Sequence, residues 1–345
     1  MQRLVVSSSP HLRNDGASTH NIMLDVVIAM VPTAVAAVYF FGANALMLIV
    51  VAIVSAVAAE FFWQKHTKQT VTVGDLSAVV TGMLVAFNLP ASAPWWIAMM
   101  GSFLAIILVK QMFGGLGQNF LNPALAARTI LMLSWTSLMA ANVLPHAGEW
   151  FATAAYDTVA SATPLGEYPA TYSLWNLFSG NIPGMLGETC KLTLLLGGVY
   201  LLVRRVIDWR IPVCFIGTAL VLFWIQTGTL YSVESGSHNA LYQLLSGGLM
   251  LGAFFMATDY VTSPTSKLGR VIMGVGCGVM LFVIRAYNTS YPEGCSFAIL
   301  FLNVLTPLID KLTSPKPFGY VKPVKVKAKP EAPKADAAKK GDAQA

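Results

Sequence analysis

Ten apolar runs separated by short polar stretches occupy most of the chain. A membrane-crossing helix needs about 20 predominantly apolar residues, and several of the runs approach that length while others are shorter. The runs are Ile22–Phe41, Ala43–Trp63, Leu76–Leu89, Trp95–Phe113, Ala124–Ala141, Leu192–Val203, Ile211–Leu230, Leu241–Thr258, Val271–Ile284 and Cys295–Leu312. The pattern predicts an all-α polytopic membrane protein with about ten transmembrane helices.

The composition supports this interpretation. Of 345 residues, 55% are hydrophobic and 11% are charged, whereas about 25% of the residues in soluble proteins are charged. Most of the net charge of +6 lies in residues 313–345, which hold eight lysines and three acidic residues. The membrane body is therefore nearly neutral, no nucleic-acid partner is implied, and the basic tail is typical of a flank that faces anionic lipid. The four cysteines have no C-x-x-C spacing, so they indicate small core residues without a disulfide framework. A pair of them could hold iron together with another subunit, but nothing in their spacing indicates it.

The distribution of basic residues predicts the orientation. Lysines and arginines concentrate in the loops after alternate runs, and such loops usually face the cytoplasm. The pattern predicts that both termini face the cytoplasm and that the loop 142–190 lies on the other side of the membrane. The expected organisation is an N-terminal segment, a first helical half, the extracytoplasmic loop, a second helical half and a disordered tail, with bounds 1–21, 22–141, 142–190, 191–312 and 313–345.

The two helical halves resemble each other. The stretch SAVVTGMLVAFNLP at 77–90 is similar to LLSGGLMLGAFFMATD at 244–259, and each is followed by another apolar run and a loop that contains Gly or Asn. With the predicted orientation, the first stretch starts inside and the second starts outside. This predicts an inverted repeat, in which binding sites lie between the halves near the middle of the membrane.

Several carboxylates lie in or near the apolar runs. Asp25 falls inside the first run, so it is either solvated near the surface or directed to the bundle interior, a cavity or a partner. Four others, Glu60, Asp75, Asp259 and Asp310, lie near run ends, where solvated flanks are the default interpretation. As a set with Asp25, they are also candidates for an ion path.

The stretch KQMFGGLGQNFLNPA at 110–124 combines glycines with two amide side chains and a proline. Asn119 and Asn122 offer donors and acceptors, and Pro123 is favourable at the start of a helix. Such a turn can grip a flat polar ring or a phosphate, or it can be a helix connection with ordinary capping. The residues alone favour neither interpretation.

The polar tract DTVASATPLGEY at 157–168 lies in the predicted outer loop. It carries three hydroxyl groups, on Thr158, Ser161 and Thr163, and no histidine-based partner that would activate one of them. From the chemistry alone, the tract indicates a solvated turn or a helix cap.

Four motifs together resemble one family. SAVVTGMLVAFNLP, KQMFGGLGQNFLNPALAARTIL, DTVASATPL and FAILFLNVLTPLID occur in this order. The chain is similar to the D subunit of the Rnf-type ion-translocating electron transport complex, which is related to the B subunit of the sodium-pumping NADH:quinone oxidoreductase. The resemblance covers the chain up to about residue 316.

The resemblance implies a flavin cofactor on the outer loop. In that family FMN is attached by a phosphoester to a threonine in a motif that Asp157, Ala162 and Thr163 match, with Ala160 where Ser or Thr is usual. Thr163 is the implied attachment residue, and a separate flavin transferase supplies the chemistry. A second, noncovalent flavin, riboflavin, is implied near Asn119, Asn122 and Pro123.

The resemblance also implies a function. The chain would be one component of a redox-driven translocase, with no catalytic side chain of its own. Its FMN would accept electrons from a neighbouring flavoprotein subunit, and electron transfer between ferredoxin and NAD would be coupled to movement of sodium or protons. Asp310 falls where the relatives have an acidic residue linked to cation movement.

Two alternatives remain open from the sequence. One is a component of the quinone-reducing relative, whose corresponding chain usually has a longer N-terminal region than the roughly 20 residues before the first run. The other is a secondary transporter with inverted repeats and no cofactor.

Overall fold

The computed structural model describes residues 5–6, 12–13, 18–148, 164–165, 172–231, 239–288 and 293–314. The chain divides into two compact units, Met1–Thr313 and Ser314–Ala345. The elements below belong to the first unit. A short antiparallel pair, β1 (Val5–Val6) and β2 (Leu12–Arg13), precedes the helices, with Val5 opposite Arg13.

Twelve α-helices and a short 3₁₀-helix, Val73–Asp75, follow these strands in the described part of the first unit. Two of them continue directly as π-helical turns, α3 through Leu104–Gln111 and α10 through Gly252–Met256. The helices are α1 (Thr19–His66), α2 (Ser77–Phe87), α3 (Trp95–Phe103), α4 (Pro123–Ser134), α5 (Thr136–Met139), α6 (Leu174–Ser179), α7 (Lys191–Val203), α8 (Arg210–Thr227), α9 (Ala240–Leu245), α10 (Leu249–Leu251), α11 (Lys267–Tyr287) and α12 (Cys295–Thr313).

Helix α1 is a hairpin of two antiparallel arms, 19–41 and 43–66. Gly42 lies between them with φ 70° and ψ −153°, a conformation that L-residues with a side chain rarely adopt. His20 Nδ1 lies 2.7 Å from the carbonyl oxygen of Gly74, just beyond the end of the second arm. The start of the first arm and the end of the second arm therefore lie at the same end of the bundle. The first two predicted runs are these arms.

Among the described residues, four helices are long and apolar enough to cross a membrane: α1, α8, α11 and α12. Four shorter apolar helices accompany them, namely Ser77–Phe87, Trp95–Gln111, Pro123–Ser134 and Lys191–Val203. The expected helical membrane protein is confirmed. An eleven-residue helix spans only ~16 Å, about half of a bilayer core, so α2 depends on its neighbours for burial.

The predicted run Ala124–Ala141 is interrupted at Trp135, between α4 and α5. The predicted run Leu241–Thr258 is not a continuous helix either. It is broken into α9 and α10 at residues 246–248. Gly247 has φ 65° in this break, and the two consecutive glycines disfavour a helix because glycine loses more backbone entropy on folding than other residues and readily adopts positive φ. The apolar composition of the run did not reveal the break, because hydropathy is insensitive to backbone conformation.

Glycines allow the helices to approach closely. A Cβ atom on Gly82 of α2 would lie 2.8 Å from the carbonyl oxygen of Ala52 in α1. A Cβ atom on Gly274 of α11 would lie 2.7 Å from Cys214 Cβ in α8, and one on Gly197 of α7 would collide with the backbone of Ala29. Small residues at such crossings let helix backbones pack without a hydrophobic driving force from lipid.

Two ends of the bundle are distinguished below. The basic end holds the chain around residues 64–76, 204–210 and 259–270, which hydrogen bonds tie to one another and to the first turns of α1. The opposite end holds residues 88–93, 164–165, 180–190 and 293–295. Leu186 N donates to Leu89 O over 3.0 Å there, and a bridge pairs Pro90 with Met185.

Candidate functional site

A buried ion pair lies inside the bundle towards the basic end. Lys110 Nζ is 2.8 Å from Glu60 Oε2 and donates to Ser77 Oγ over 2.6 Å. Gln64 Nε2 also donates to Glu60, over 3.2 Å. The side chains of Lys110 and Glu60 are only 2% and 1% exposed. The expectation that Glu60 is a solvated flank is wrong, because the second arm of α1 turns this carboxylate towards α3.

A central cavity adjoins this pair. Lys110, Asn119, Asn122, Pro123 and Asp259 are among its lining residues, and its volume is about 90 Å³. The three residues that the sequence singled out for a second flavin therefore do lie together. The two halves of the chain meet here, because α4 and the segment after α10 both contribute to the wall.

Asn122 is the N-cap of α4. Its Oδ1 accepts from the backbone amides of Ala124 and Leu125 over 3.1 and 3.3 Å, and its Nδ2 donates to Met256 O over 3.2 Å. Pro123 occupies the first helical position, where its missing N–H has no cost. The ordinary capping interpretation therefore applies to Asn122, whose amide is already committed to the backbone.

The central cavity does not fit a flavin in this conformation. Small-molecule pockets usually enclose about 300–1,000 Å³, several times the volume found here. Asn119 Nδ2 donates to Leu121 O over 3.0 Å, so its NH₂ group also has a partner within the turn. A flavin would therefore need a larger cavity than the one in this conformation.

A second group of buried charges lies towards the opposite end. Arg128 of α4 contacts Glu188 Oε1 over 2.9 Å, donates to Asn88 Oδ1 over 3.0 Å and pairs with Glu293. Glu188 and Arg128 are almost fully buried. A cation in an apolar run is costly without such partners, so Arg128 ties the first half of the chain to the segments before α7 and α12.

Two further cations donate hydrogen bonds to backbone carbonyl groups at the break between α9 and α10. Lys191 Nζ donates to Gly247 O over 2.9 Å and also to Glu188 O. Arg285 Nη2 donates to Ser246 O over 3.0 Å. The carbonyls at the end of α9 lack helical partners, and unpaired carbonyls are expensive away from water. Lys191 and Arg285 supply donors at the negative end of the helix dipole.

The chain segment after the predicted attachment residue touches this cluster. Pro164 lines a small cavity with Glu188 and Lys191, and a Cβ atom on Gly247 would lie 2.9 Å from Leu165 Cδ1. The predicted flavin residues themselves, Asp157, Ala162 and Thr163, lie outside the residues that the structure describes.

Polar contacts connect the two buried regions. Asn88 accepts from Arg128, and its Nδ2 lies 4.0 Å from the sulfur of Met256. The carbonyl oxygen of Met256 accepts from Asn122, which lines the central cavity. A series of polar contacts therefore runs from the charged cluster to the cavity, along the junction between the two halves.

The ion-path candidates Asp25 and Asp310 have separate partners. Asp25 accepts from Tyr200 Oη over 2.9 Å and pairs with Arg204 over 3.2 Å. Asp310 accepts from the backbone amide and hydroxyl of Thr265, over 3.0 and 3.2 Å. Both lie at the basic end. Of the two interpretations for Asp25, the structure shows the one in which it faces a partner helix.

Sequence reasoning missed the buried cations as site residues. The charge pattern marks Lys110 only as a flank of its apolar run, and it does not single out Arg128. The signal that could have found them is a charge inside an apolar run, which requires a buried partner. No group of three or more His, Cys, Asp or Glu residues that could hold a metal occurs in the described part of the chain.

Comparison with known proteins reveals whole-length similarity. A family model described as the NQR2, RnfD, RnfE family matches residues 5–319. The D subunit of the Na(+)-translocating ferredoxin:NAD(+) oxidoreductase complex of Acetobacterium woodii is 45% identical over 335 residues, which cover 94% of this chain and 98% of that protein. The D subunit of the proton-translocating ferredoxin:NAD(+) oxidoreductase complex of Clostridium ljungdahlii is 39% identical over 329 residues, with 91% and 96% covered. The D subunit of the ion-translocating oxidoreductase complex of Stutzerimonas stutzeri is 38% identical over 332 residues, with 88% and 93% covered.

Proposed function

Because the chain belongs to the NQR2, RnfD, RnfE family, we propose that it is the membrane-embedded D subunit of an ion-translocating ferredoxin:NAD oxidoreductase complex. The observation that carries this function is the 45% identity to such a protein over nearly the full length of both chains. One relative is named for sodium and another for protons, so either ion is a candidate. The other subunits of the complex are its partners.

The test is the activity of the complex that the chain assembles into. The chain is tagged, the complex is purified from the membrane, and ferredoxin:NAD and NADH:quinone reductase activities are compared. Reduction of NAD by reduced ferredoxin, together with ion uptake into vesicles, is the expected result. A complex that reduces quinone and does not accept electrons from ferredoxin would assign the chain to the quinone-reducing branch of the family.

The covalent FMN at Thr163 is part of the proposal. Its support is the DTVASAT motif and the position of the next two residues, Pro164 and Leu165, against the charged cluster around Lys191 and Gly247. When bound, FMN would supply one- and two-electron transfer. The chain itself would hold Pro164 at the opposite end of the bundle. It would also keep the neighbouring Glu188 paired with Arg128.

Peptide mass spectrometry tests this attachment. In cells that express the flavin transferase, the peptide with Thr163 should gain the mass of FMN minus water. Thr163→Ala should remove the fluorescent band on a denaturing gel, and Thr158→Ala in the same tract should retain it. An unmodified Thr163 peptide, or a band that survives in Thr163→Ala, would contradict the assignment.

Ten crossings arranged as an inverted repeat are also proposed. The first arm of α1 packs on α7 through Ala29 and Gly197, so the first helix of one half meets the first helix of the other. The second arm of α1 and α3 are the second and fourth runs of the first half, and Ser102 Oγ of α3 donates to Ala52 O over 2.8 Å. Helices α8 and α11 are the second and fourth runs of the second half, and they also pack on each other. We propose that the basic end and both termini lie on the cytoplasmic side of a bacterial inner membrane, and that the 142–190 loop lies on the other side.

We propose the remaining cofactor and partners from the similarity to the family. They are a neighbouring flavoprotein subunit as electron donor, a flavin transferase for maturation, and a role for Asp25 and Asp310 in cation movement. A noncovalent riboflavin has less support, because the central cavity is small and Asn122 is engaged in capping. If riboflavin binds there, Asn119→Leu should release it from purified protein while the covalent flavin remains.

A further inference from the structure

A larger cavity opens at the basic end beside the turn between α7 and α8. Its volume is about 560 Å³. That turn forms one wall, and the segment between α10 and α11 forms the other. Three arginines and one aspartate line it: Arg205, Arg210, Arg270 and Asp208. The function proposed above uses none of these residues.

The charges in this cavity do not balance. Asp208 Oδ2 lies 2.7 Å from a guanidinium nitrogen of Arg210 and 2.7 Å from one of Arg270. Although burial acts against ionisation, hydrogen bonds from Arg210 and Arg270 lower the pKa of Asp208 below its ordinary value, so it is a carboxylate at neutral pH. One negative charge thus faces three guanidinium groups, and the cavity retains a surplus of positive charge.

Arg205 provides the least compensated of these charges. Its side chain forms no ion pair with any residue in the described ranges, and it is exposed at the mouth of the cavity. Its backbone has φ 57°, which is uncommon and energetically unfavourable for a residue other than Gly, Asn or Asp. The fold therefore holds this guanidinium at a position that local backbone preference does not favour.

The cavity also has an apolar wall at the level where a helix leaves the membrane. Leu202, Val206 and Ile211 line it together with the arginines. Trp209 is 56% exposed immediately before α8, and the Arg210 guanidinium lies 5.3 Å from the centre of its ring. Tryptophan concentrates at membrane–water interfaces, and basic pockets between helices bind phospholipid headgroups.

We propose that this cavity binds the phosphate headgroup of an anionic phospholipid, with Arg205 as its main cationic contact and the apolar wall against the start of the acyl chains. Arg210 and Arg270, already oriented by Asp208, supply the rest of the positive field. A soluble phosphate would use the same guanidinium groups but would gain nothing from the apolar wall or from Trp209.

Native mass spectrometry of the full-length chain in neutral detergent tests this site. The protein is incubated with equal amounts of phosphatidylglycerol and phosphatidylcholine, and the bound lipid is counted. Retention of phosphatidylglycerol over phosphatidylcholine is the expected result. Arg205→Asn should weaken phosphatidylglycerol binding about fivefold, which corresponds to the ~1 kcal/mol that one basic residue contributes near an anionic surface. Arg205→Lys should retain most of it.

Lys68 offers a closely matched control. It is basic, exposed and at the same end of the bundle, its φ is 55°, and it does not line the cavity. Lys68→Asn therefore removes one charge from a similar backbone conformation, and asparagine tolerates that conformation at both sites. Lipid binding should not change in this variant. If Arg205→Asn does not fold, the wild-type protein is measured at low salt and at 0.5 M salt in place of the two variants. The expected result is then loss of phosphatidylglycerol at 0.5 M salt.

Three results would overturn the proposal. The first is equal retention of the two lipids by the wild-type protein. The second is equal loss of phosphatidylglycerol in the Arg205 and Lys68 variants, which would indicate a general charge effect. The third is displacement of the lipid by an equal concentration of inorganic phosphate, which would assign the cavity to a soluble anion.

Discussion

At the scale of single residues, the buried ion pair of Glu60 and Lys110 is the contact in the bundle whose loss has the clearest effect on stability. Removing one partner of a buried pair leaves an uncompensated charge, which typically costs ~3–5 kcal/mol. Glu60 keeps Gln64 as a second donor, and Lys110 keeps Ser77, but neither neutral group can replace the opposite charge. The pair also forms part of the wall of the central cavity through Lys110.

We therefore predict that Lys110→Met lowers the free energy of unfolding by about 3–5 kcal/mol. An unfolding titration in detergent measures the change, with the buried thiols of Cys277 and Cys295 as reporters of opening. Glu60→Gln combined with Lys110→Met should recover much of the loss, because no charge then remains buried. The control is Arg204→Met, which breaks an ion pair whose guanidinium is 57% exposed and should have a much smaller effect. Equal losses in the Lys110 and Arg204 variants would contradict the prediction.

At the scale of elements, close helix crossings depend on individual glycines. Gly82 lets the short helix α2 lie directly against the second arm of α1, where a Cβ atom would be 2.8 Å from both Ala52 O and Ile53 Cα. Backbone atoms cannot move aside as a flexible side chain can. Because α2 is too short to span a membrane by itself, this contact helps to hold it in the bundle.

Gly82→Ala should destabilise the protein by about 1–3 kcal/mol, the usual range for overpacking. Gly217 in α8 is the matched control, because a Cβ atom there meets nothing within 4 Å. Gly217→Ala should be neutral or stabilising by up to ~1 kcal/mol, since alanine has the higher helix propensity. The two unfolding midpoints can be compared in the same detergent, and a Gly82→Ala variant as stable as Gly217→Ala would contradict the packing argument.

At the scale of the whole molecule, the bundle separates two chemically different ends. The basic end contains the arginine-lined cavity and the basic turns, and the opposite end contains Pro164, Leu165 and the cluster of paired charges. The series of polar contacts through Asn88 and Met256 runs from the cluster of paired charges to the central cavity. Under the proposed function, the flavin would lie at the opposite end, next to Pro164, and the candidate cation residues Asp25 and Asp310 would lie at the basic end.

Thiol labelling on intact cells tests this polarity. Trp175→Cys places a thiol at the opposite end, where Trp175 is 72% exposed, and Lys68→Cys places one at the basic end. With Cys214 replaced by Ala, a membrane-impermeant maleimide should label the Trp175 variant and leave the Lys68 variant unlabelled until the cells are broken. Labelling of both variants, or of Lys68→Cys alone, in intact cells would contradict the proposed orientation.

The sequence by itself determined the features that depend on local composition. The apolar runs predicted a helical membrane protein, and the Asn122–Pro123 pair carried the local signal of a helix start, because hydropathy and capping act within a few residues. Tertiary structure decided how the charges are paired. Lys110 meets a carboxylate 50 residues away, and Arg128 meets Glu188 and Glu293 from two later segments. The break at Gly247 is tolerated because Lys191 and Arg285, from two other helices, supply donors to its carbonyls. A buried charge specifies that it must have a partner but not which one, since only the packing of distant helices brings that partner within reach.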